Sequence, residues 1–305
     1  MEKAQRFCLK VVSADEGLRL DQYISKNSNI SISRSRIQRL IDAQEITVNR
    51  KPAKAHYKIK SADVVIINIP ATPEPKVLPE NVALKIVFED EDLLVLNKPA
   101  GMTTHPAESC YSQTLVNALL NYGCPLSTIN GPLRPGIVHR LDKGTSGIMV
   151  IAKNDFAYQN LARQFQRHSI KRKYIALVKG KPAHNEGIID LPISRHPQNR
   201  QKMRVGFFKK SRNALTKYKV LRSSKAVSLL ELTPHTGRTH QLRVHLKSLG
   251  HPVLGDRRYG DVTSFSRLAL HATVLGFRHP RTKKNLEFQS DIPECFERFI
   301  KSLKQ

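Results

Sequence analysis

One carboxylate, Asp142, stands between Arg140 and Lys143 in the run His139-Arg140-Leu141-Asp142-Lys143-Gly144-Thr145-Ser146-Gly147. The chain can bend at Gly144 and Gly147 before Ile148-Met149-Val150-Ile151-Ala152, an apolar run that reads as a buried strand. An ionised aspartate held at the edge of such a strand can act as a nucleophile or a base. Taken alone, the same residues also fit a surface ion pair beside a tight turn.

A second constellation runs from Pro234 to Leu246 and holds Thr236-Gly237-Arg238-Thr239-His240-Gln241-Leu242-Arg243. Thr239 is the expected cap of a helix whose Leu242, Leu246 and Leu249 face a core, with Gly250 before His251-Pro252 as its stop. Arg243 falls off that leucine face and is placed to reach a carboxylate elsewhere in the chain. His235, His240 and His245 are spaced five apart, so the helical pair lies about 140° apart around the axis and no shared metal is expected. The helix N-terminus would instead suit a phosphate, with Arg238 and His240 as helpers.

These residues must be positioned by the surrounding elements. Leu93–Asn97, Gly147–Ala152, Tyr174–Val178, Ala214–Leu221 and Val227–Leu232 read as strands. Between Phe156 and His168 an amphipathic helix is expected, with Leu161 and Phe165 one turn apart. The pattern predicts an α+β domain on a mixed, largely antiparallel sheet with flanking helices. Ahead of it, Ser33 should cap a short helix with Ile37, Leu40 and Ile41 as its apolar stripe and Arg34, Arg36 and Arg39 pointing outward. Strands at Glu45–Asn49 and Val64–Asn68 follow. Four prolines between residues 70 and 79 mark an extended linker at about 70–81, which separates residues 1–75 from a larger domain at 82–305.

Composition narrows the partners. The 305 residues carry 51 Lys and Arg against 25 Asp and Glu, a net charge of +26, which asks for a polyanion such as a nucleic acid. Residues 1–75 hold 13 basic and 8 acidic side chains, so only +5 lies there and +21 belongs to the rest. The excess concentrates in Arg163, Arg167, Lys171, Arg172 and Lys173, and again between Arg195 and Arg212. Aromatic residues interleave both runs, which favours an ordered binding surface over a tail. No stretch is apolar for long enough to span a membrane, and no secretion signal is read, so a cytoplasmic protein is expected. Four scattered cysteines form no C-x-x-C pair, and no dinucleotide fingerprint or Walker loop is present, so no metal and no cofactor are expected.

Several motifs together resemble the RluA-type family of pseudouridine synthases: Leu96-Asn97-Lys98-Pro99-Ala100-Gly101, the stretch around Asp142, Lys171-Arg172-Lys173-Tyr174, and Thr236 to His245. Leu191-Pro192-Ile193-Ser194-Arg195-His196 is similar to the RluD-like branch that acts on large-subunit ribosomal RNA. The leading segment, with Arg19-Leu20-Asp21 and Ser33-Arg34-Ser35-Arg36, resembles the S4 domain, a module that binds structured RNA.

The resemblance implies that a uridine within RNA is converted to pseudouridine, with the C1′–N1 bond broken and C5 joined to C1′. Asp142 is the implied catalytic carboxylate, leaving open whether it attacks C1′ or removes a ribose proton. Arg243 is implied to pair with it, and Tyr174 to lie against the uracil. The uridine must leave the stack, and Arg140 is the implied residue to fill its place. His139, Arg238, His240, Arg34, Arg36 and Arg39 complete the expected RNA contacts. The expected partner is ribosomal RNA, free or in a pre-ribosomal particle, bound by a monomer.

Overall fold

The computed structural model describes residues 4–27, 32–70, 77–106, 110–260 and 265–302. The chain divides into two compact units, Met1–Pro75 and Lys76–Gln305. The middle of the proline-rich linker, residues 71–76, lies outside the described residues.

The first unit runs β1 (Gln5–Lys10), α1 (Leu20–Lys26), α2 (Arg34–Asp42), β2 (Ile46–Val48), β3 (Lys51–Pro52) and β4 (Val64–Ile69). Its strands form an antiparallel sheet in the order β1-β4-β2-β3. Asn49 and Arg50, both with positive φ (50° and 63°), make the two-residue turn between β2 and β3. Ser33 caps α2 by accepting the Arg36 N–H (3.3 Å), and Ile37, Leu40 and Ile41 are buried against α1 and the sheet. Arg34 is exposed, as expected of the outward face, but it is also engaged within the unit. Its guanidinium turns back to Asp21, which is fully buried and also paired with Arg19 (2.9 and 3.1 Å). Burial alone would raise the Asp21 carboxyl, but the two arginines outweigh it and hold it below its ordinary value. Arg34 therefore neutralises a buried charge that would otherwise be unpaired, whereas Arg39 is exposed.

The second unit is built on a nine-stranded sheet ordered β5-β6-β7-β14-β8-β13-β12-β9, with β15 also paired to β14. In chain order its elements are β5 (Lys85–Glu89), β6 (Leu93–Lys98), α3 (Leu115–Tyr122), β7 (Ser146–Ala152), α4 (Asp155–Gln166), β8 (Lys171–Lys179) and β9 (Glu186–Asp190). A small hairpin of β10 (Ile193–Arg195) and β11 (Met203–Val205) follows. Then come β12 (Leu215–Ser223), β13 (Val227–Pro234), α5 (Gln241–Ser248), β14 (Leu270–Arg278), β15 (Asn285–Gln289) and α6 (Glu294–Ser302). Every pairing in this sheet is antiparallel except β7 with β14, which meet in parallel at His271–Ser146 and Ala272–Gly147.

β7 is buried along its whole length, as expected of a central strand covered on both faces. α3 packs over one part of the sheet and α4 over another, while α5 and α6 share a third cluster with β8 and β13. Gly147 sits at the parallel junction with φ +122°, and a Cβ there would lie 2.2 Å from the Ala272 carbonyl oxygen. Only glycine fits where the Asp142 loop enters the sheet.

Two expectations for α5 are corrected. Its N-cap is His240, in the left-handed region (φ +56°), not Thr239, because the turn Thr236–Arg238 is folded over the Gln241 side chain. Gln241 Oε1 accepts from the Thr236 hydroxyl (2.8 Å) and the Arg238 N–H (3.0 Å), which ties the preceding turn to the first residue of the helix. Leu249 falls at the C-cap and is exposed rather than in the core.

Candidate active site

The loop carrying Asp142 is pinned from several sides. Gly101 N–H donates to the Lys143 carbonyl (2.8 Å), and the Thr104 hydroxyl to the Leu141 carbonyl (2.8 Å). Thr145 N–H closes the turn onto the Asp142 carbonyl (3.0 Å). The segment supplying Gly101 is itself anchored by Lys98, which is fully buried and donates to the carbonyls of Pro99 and Met102 (2.8 Å each). Burial pulls the Lys98 ammonium down to about 7 against the attraction of Asp142.

Asp142 faces α5. Arg243 Nη1 donates to Asp142 Oδ2 (2.9 Å), while Arg243 Nε and Nη2 both bind the carboxylate of Asp256 (2.8 Å each). Asp256 is buried, and Arg243 is nearly so. Asp256 also accepts the backbone N–H groups of Arg258 and Tyr259 (2.9 and 3.1 Å). Burial would raise Asp256, but Arg243 and these N–H groups hold it below its ordinary value. The guanidinium is thus fixed in its plane before it meets Asp142.

His240 comes within 3.9 Å of Asp142 through Nε2, while its Nδ1 meets the Tyr259 hydroxyl (2.8 Å). Tyr259 Oη accepts the Met203 N–H (2.6 Å), so its own proton has His240 Nδ1 as acceptor. This leaves the imidazole proton on Nε2, towards the carboxylate. Burial drops His240 to about 4, so the ring is neutral at pH 7.

Asp142 opens onto a cavity of about 540 Å³ walled by residues 138–142, the end of α4, Tyr174 of β8 and residues 234–243. That volume lies within the range of small-ligand sites. Tyr174 sits between Ala272 of β14 and Leu232 of β13 in the sheet. Burial keeps its phenol above its ordinary value, with Arg172 opposing and Asp142 adding to the shift, so the hydroxyl is neutral. Arg140 is exposed on the cavity wall. Arg238 also lines it, with Nε donating to the Asn213 carbonyl (3.1 Å). The asymmetry suits a planar, polar ligand with an anionic surround: one carboxylate with a fixed cation, one phenol, and exposed guanidinium at the rim.

His139 lines this cavity and is also tied into the fold. Its Nε2 accepts the Val150 N–H of β7 (3.1 Å), its ring stacks on Phe165 (4.6 Å between centroids), and burial pushes it down to about 3. It is a neutral acceptor that holds the Asp142 loop to the sheet. Arg172 is also drawn into the structure, where Nη2 donates to the carbonyls of Pro234 and His235 (3.2 Å each). Lys173 pairs with Glu231 (3.0 Å). Arg34, Arg36 and Arg39 lie in the other unit, on α2. Among the described residues no cluster of His, Cys, Asp and Glu could hold a metal, and no helix is long and apolar enough to cross a membrane.

Sequence reading singles out neither Asp256 nor Tyr259. A weak signal exists in Leu254-Gly255-Asp256, where Gly255 adopts φ +66° and its neighbour is carried under Arg243.

The chain is similar to known proteins over most of its length. Residues 92–248 match the family described as RNA pseudouridylate synthase, and residues 18–65 match the S4 domain. The chain is 42% identical over 289 residues to a protein of Bacillus subtilis named uncharacterized RNA pseudouridine synthase YlyB, covering 94% of each chain. It is 43% identical over 304 residues to a protein of Zymomonas mobilis named ribosomal large subunit pseudouridine synthase D, again covering 94% of each. Among solved structures it is similar to human RNA pseudouridylate synthase domain containing 1, with a TM-score of 0.58 and 26% identity over 74% of this chain and 96% of that one.

Proposed function

The chain belongs to the RNA pseudouridylate synthase family, and we propose that it isomerises uridines of large-subunit ribosomal RNA, with Asp142 as the carboxylate that acts on the sugar. The observation that carries the site assignment is the Asp142–Arg243 pair at 2.9 Å on the wall of a cavity that also holds Tyr174. The relatives named as large-subunit synthases, from Zymomonas mobilis and Nitrosomonas europaea, support the substrate.

In this reading the target uridine leaves its stack and enters the cavity, at a cost of a few kcal/mol that contacts to the backbone offset. Arg140 fills the vacated position. Asp142 acts at the ribose as the C1′–N1 bond breaks, and Arg243 keeps that carboxylate aimed. The detached uracil turns so that C5 bonds to C1′, and the C5 proton is lost while N1 gains one, so the composition of the RNA is unchanged. Tyr174 lies against the ring and takes part in removing the C5 proton. The enzyme works as a cytoplasmic monomer on ribosomal RNA, free or within an assembling particle.

The test is tritium release from RNA labelled at uracil C5. Wild type should release label, and Asp142→Ala should release none above background while binding the same RNA within about threefold, because removing a negative charge does not weaken a phosphate contact. Unchanged release by the variant would overturn the assignment of Asp142. Mapping pseudouridine in cells lacking the gene should show sites missing from large-subunit ribosomal RNA, and sites missing from transfer RNA alone would overturn the substrate.

A further inference from the structure

We propose that a second cavity, on the outer side of α4, is a binding groove for the phosphate backbone of the RNA flanking the modified uridine; this rests on the RNA substrate proposed above. The groove encloses about 780 Å³ between the last turns of α4 and the β14–β15 hairpin, and it lies apart from the cavity that holds Asp142. Arg163, Arg167, Lys171, Arg278 and Lys283 line it, all exposed. Glu287 is the one carboxylate among its lining residues and is already paired with Lys171 (2.7 Å). The first basic run of the sequence is thereby divided. Arg172 and Lys173 are held by internal partners and Lys171 by Glu287 on the groove wall, while Arg163 and Arg167 turn to this groove.

The walls are built to hold shape. Gln164 clamps α4 to the end of β14 in both directions, its Nε2 donating to the Arg278 carbonyl (2.8 Å) and its Oε1 accepting the Arg278 N–H (2.9 Å). Gly276 forms part of the lining, and a Cβ there would press on Lys171 and Glu287 (3.2 and 3.4 Å), so glycine keeps the space open. Arg163 and Arg167 are four residues apart and so share one helix face. A helix C-terminus by itself repels an anion, which makes these guanidiniums the source of attraction rather than the helix dipole.

The groove also connects to the chemistry. Gln166 and His168 line the Asp142 cavity, while Arg163, Arg167 and Ser169 line the groove, so the two meet at the end of α4. Phosphates engaged here would add affinity for long RNA without touching the reacting base.

The test compares wild type with Arg163→Gln/Arg167→Gln, both exposed positions, on a large-subunit ribosomal RNA transcript and on a short hairpin around a uridine mapped as modified in it. On the transcript the variant should bind about tenfold more weakly, and the slope of log K against log salt should shrink by roughly 1.5, the value for two lost phosphate contacts. On the hairpin, which ends within the Asp142 cavity, kcat and KM should stay within twofold. Equal affinity of both proteins for the transcript would overturn the groove, and so would an equal loss on the hairpin. Turnover of the hairpin by the wild type reports the isomerase reading separately, so failure of one is distinguishable from failure of the other.

Discussion

Arg243 reaches Asp142 with one nitrogen (2.9 Å) while its other two nitrogens are held by Asp256 (2.8 Å each). The carboxylate on the cavity wall is therefore oriented by a cation that is itself oriented by a second, buried carboxylate. A lysine could pair with Asp142 but could not span both partners in one plane. The arrangement yields expectations that separate aiming from binding.

Asp256→Asn keeps the shape of the side chain but removes the charge that fixes Arg243. Breaking one partner of a buried pair should lower stability by about 3 kcal/mol, and loss of aim should cut kcat by roughly a hundredfold. Affinity for RNA should hold within about threefold, because Asp256 is 1% exposed and is not among the residues lining the cavity. Thermal denaturation, single-turnover kinetics and filter binding on one preparation check all three, and a fall in affinity alone would contradict a positioning role.

Tyr259→Phe removes the hydroxyl shared by Met203 N–H and His240 Nδ1. Two part-buried polar groups lose their partner, at a cost of about 1 kcal/mol. Nitrogen-15 spectra of the wild type should show the His240 proton on Nε2, and the variant should show a mixture of tautomers. A wild-type ring protonated on Nδ1 would contradict the network.

Gly147→Ala should disrupt the parallel junction of β7 and β14, where the added carbon would sit 2.2 Å from the Ala272 carbonyl oxygen. Backbone must move on one strand or the other, so a loss of at least about 3 kcal/mol is expected, together with activity. Gly250→Ala is the control: its φ is also positive (+84°), but a Cβ there meets nothing within 4 Å. Urea denaturation of the pair checks the difference, and equal losses would show that conformational strain alone, not the close approach, sets the cost.

Acid should destabilise the protein before its carboxylates titrate. His139 sits at about 3, and His105, His240 and His271 at about 4, all lowered chiefly by burial. Below about pH 6.5 the unfolded chain binds protons that the folded one refuses, so unfolding free energy falls with pH by up to about 1.4 kcal/mol per unit for each such histidine. The loss should continue until the folded pKa values are reached near 4 to 3. His139→Gln, which can still accept the Val150 N–H, should flatten the profile between pH 6.5 and 4.5. An unchanged slope would show that His139 is not neutral in the fold.

The motif around Asp142, the turn into β7, the strand at Tyr174 and the basic helix capped by Ser33 were legible in the sequence because each is local: a spacing, a glycine, or an apolar run fixes it. The mixed sheet could be anticipated from the run of Val- and Ile-rich segments. β14 carries no comparable mark, since Leu270–Arg278 includes a histidine, a threonine and a glycine, yet this strand joins β7 to β8 and gives the sheet its parallel pair. The cap of α5 was misread for a related reason. Thr239 has the right chemistry at the right place, but the Gln241 side chain bonds the preceding turn and His240 takes the cap.

What the sequence determined alone is the supply of chemistry: a carboxylate between cations, an arginine off a leucine face, a phenol at the start of a strand, and an excess of positive charge. The tertiary structure decided which of these meet. Asp142 and Arg243 are 101 residues apart, and their 2.9 Å contact depends on Asp256, which no periodicity singles out. It also decided which cations are spent. Arg34 and Arg172 look as available as Arg163 and Arg167 when read in a line, but a buried carboxylate claims the first and backbone carbonyls the second. The physical reason is that a charge leaves water only where something fixed compensates it, and that partner is defined by the fold rather than by neighbours in the chain.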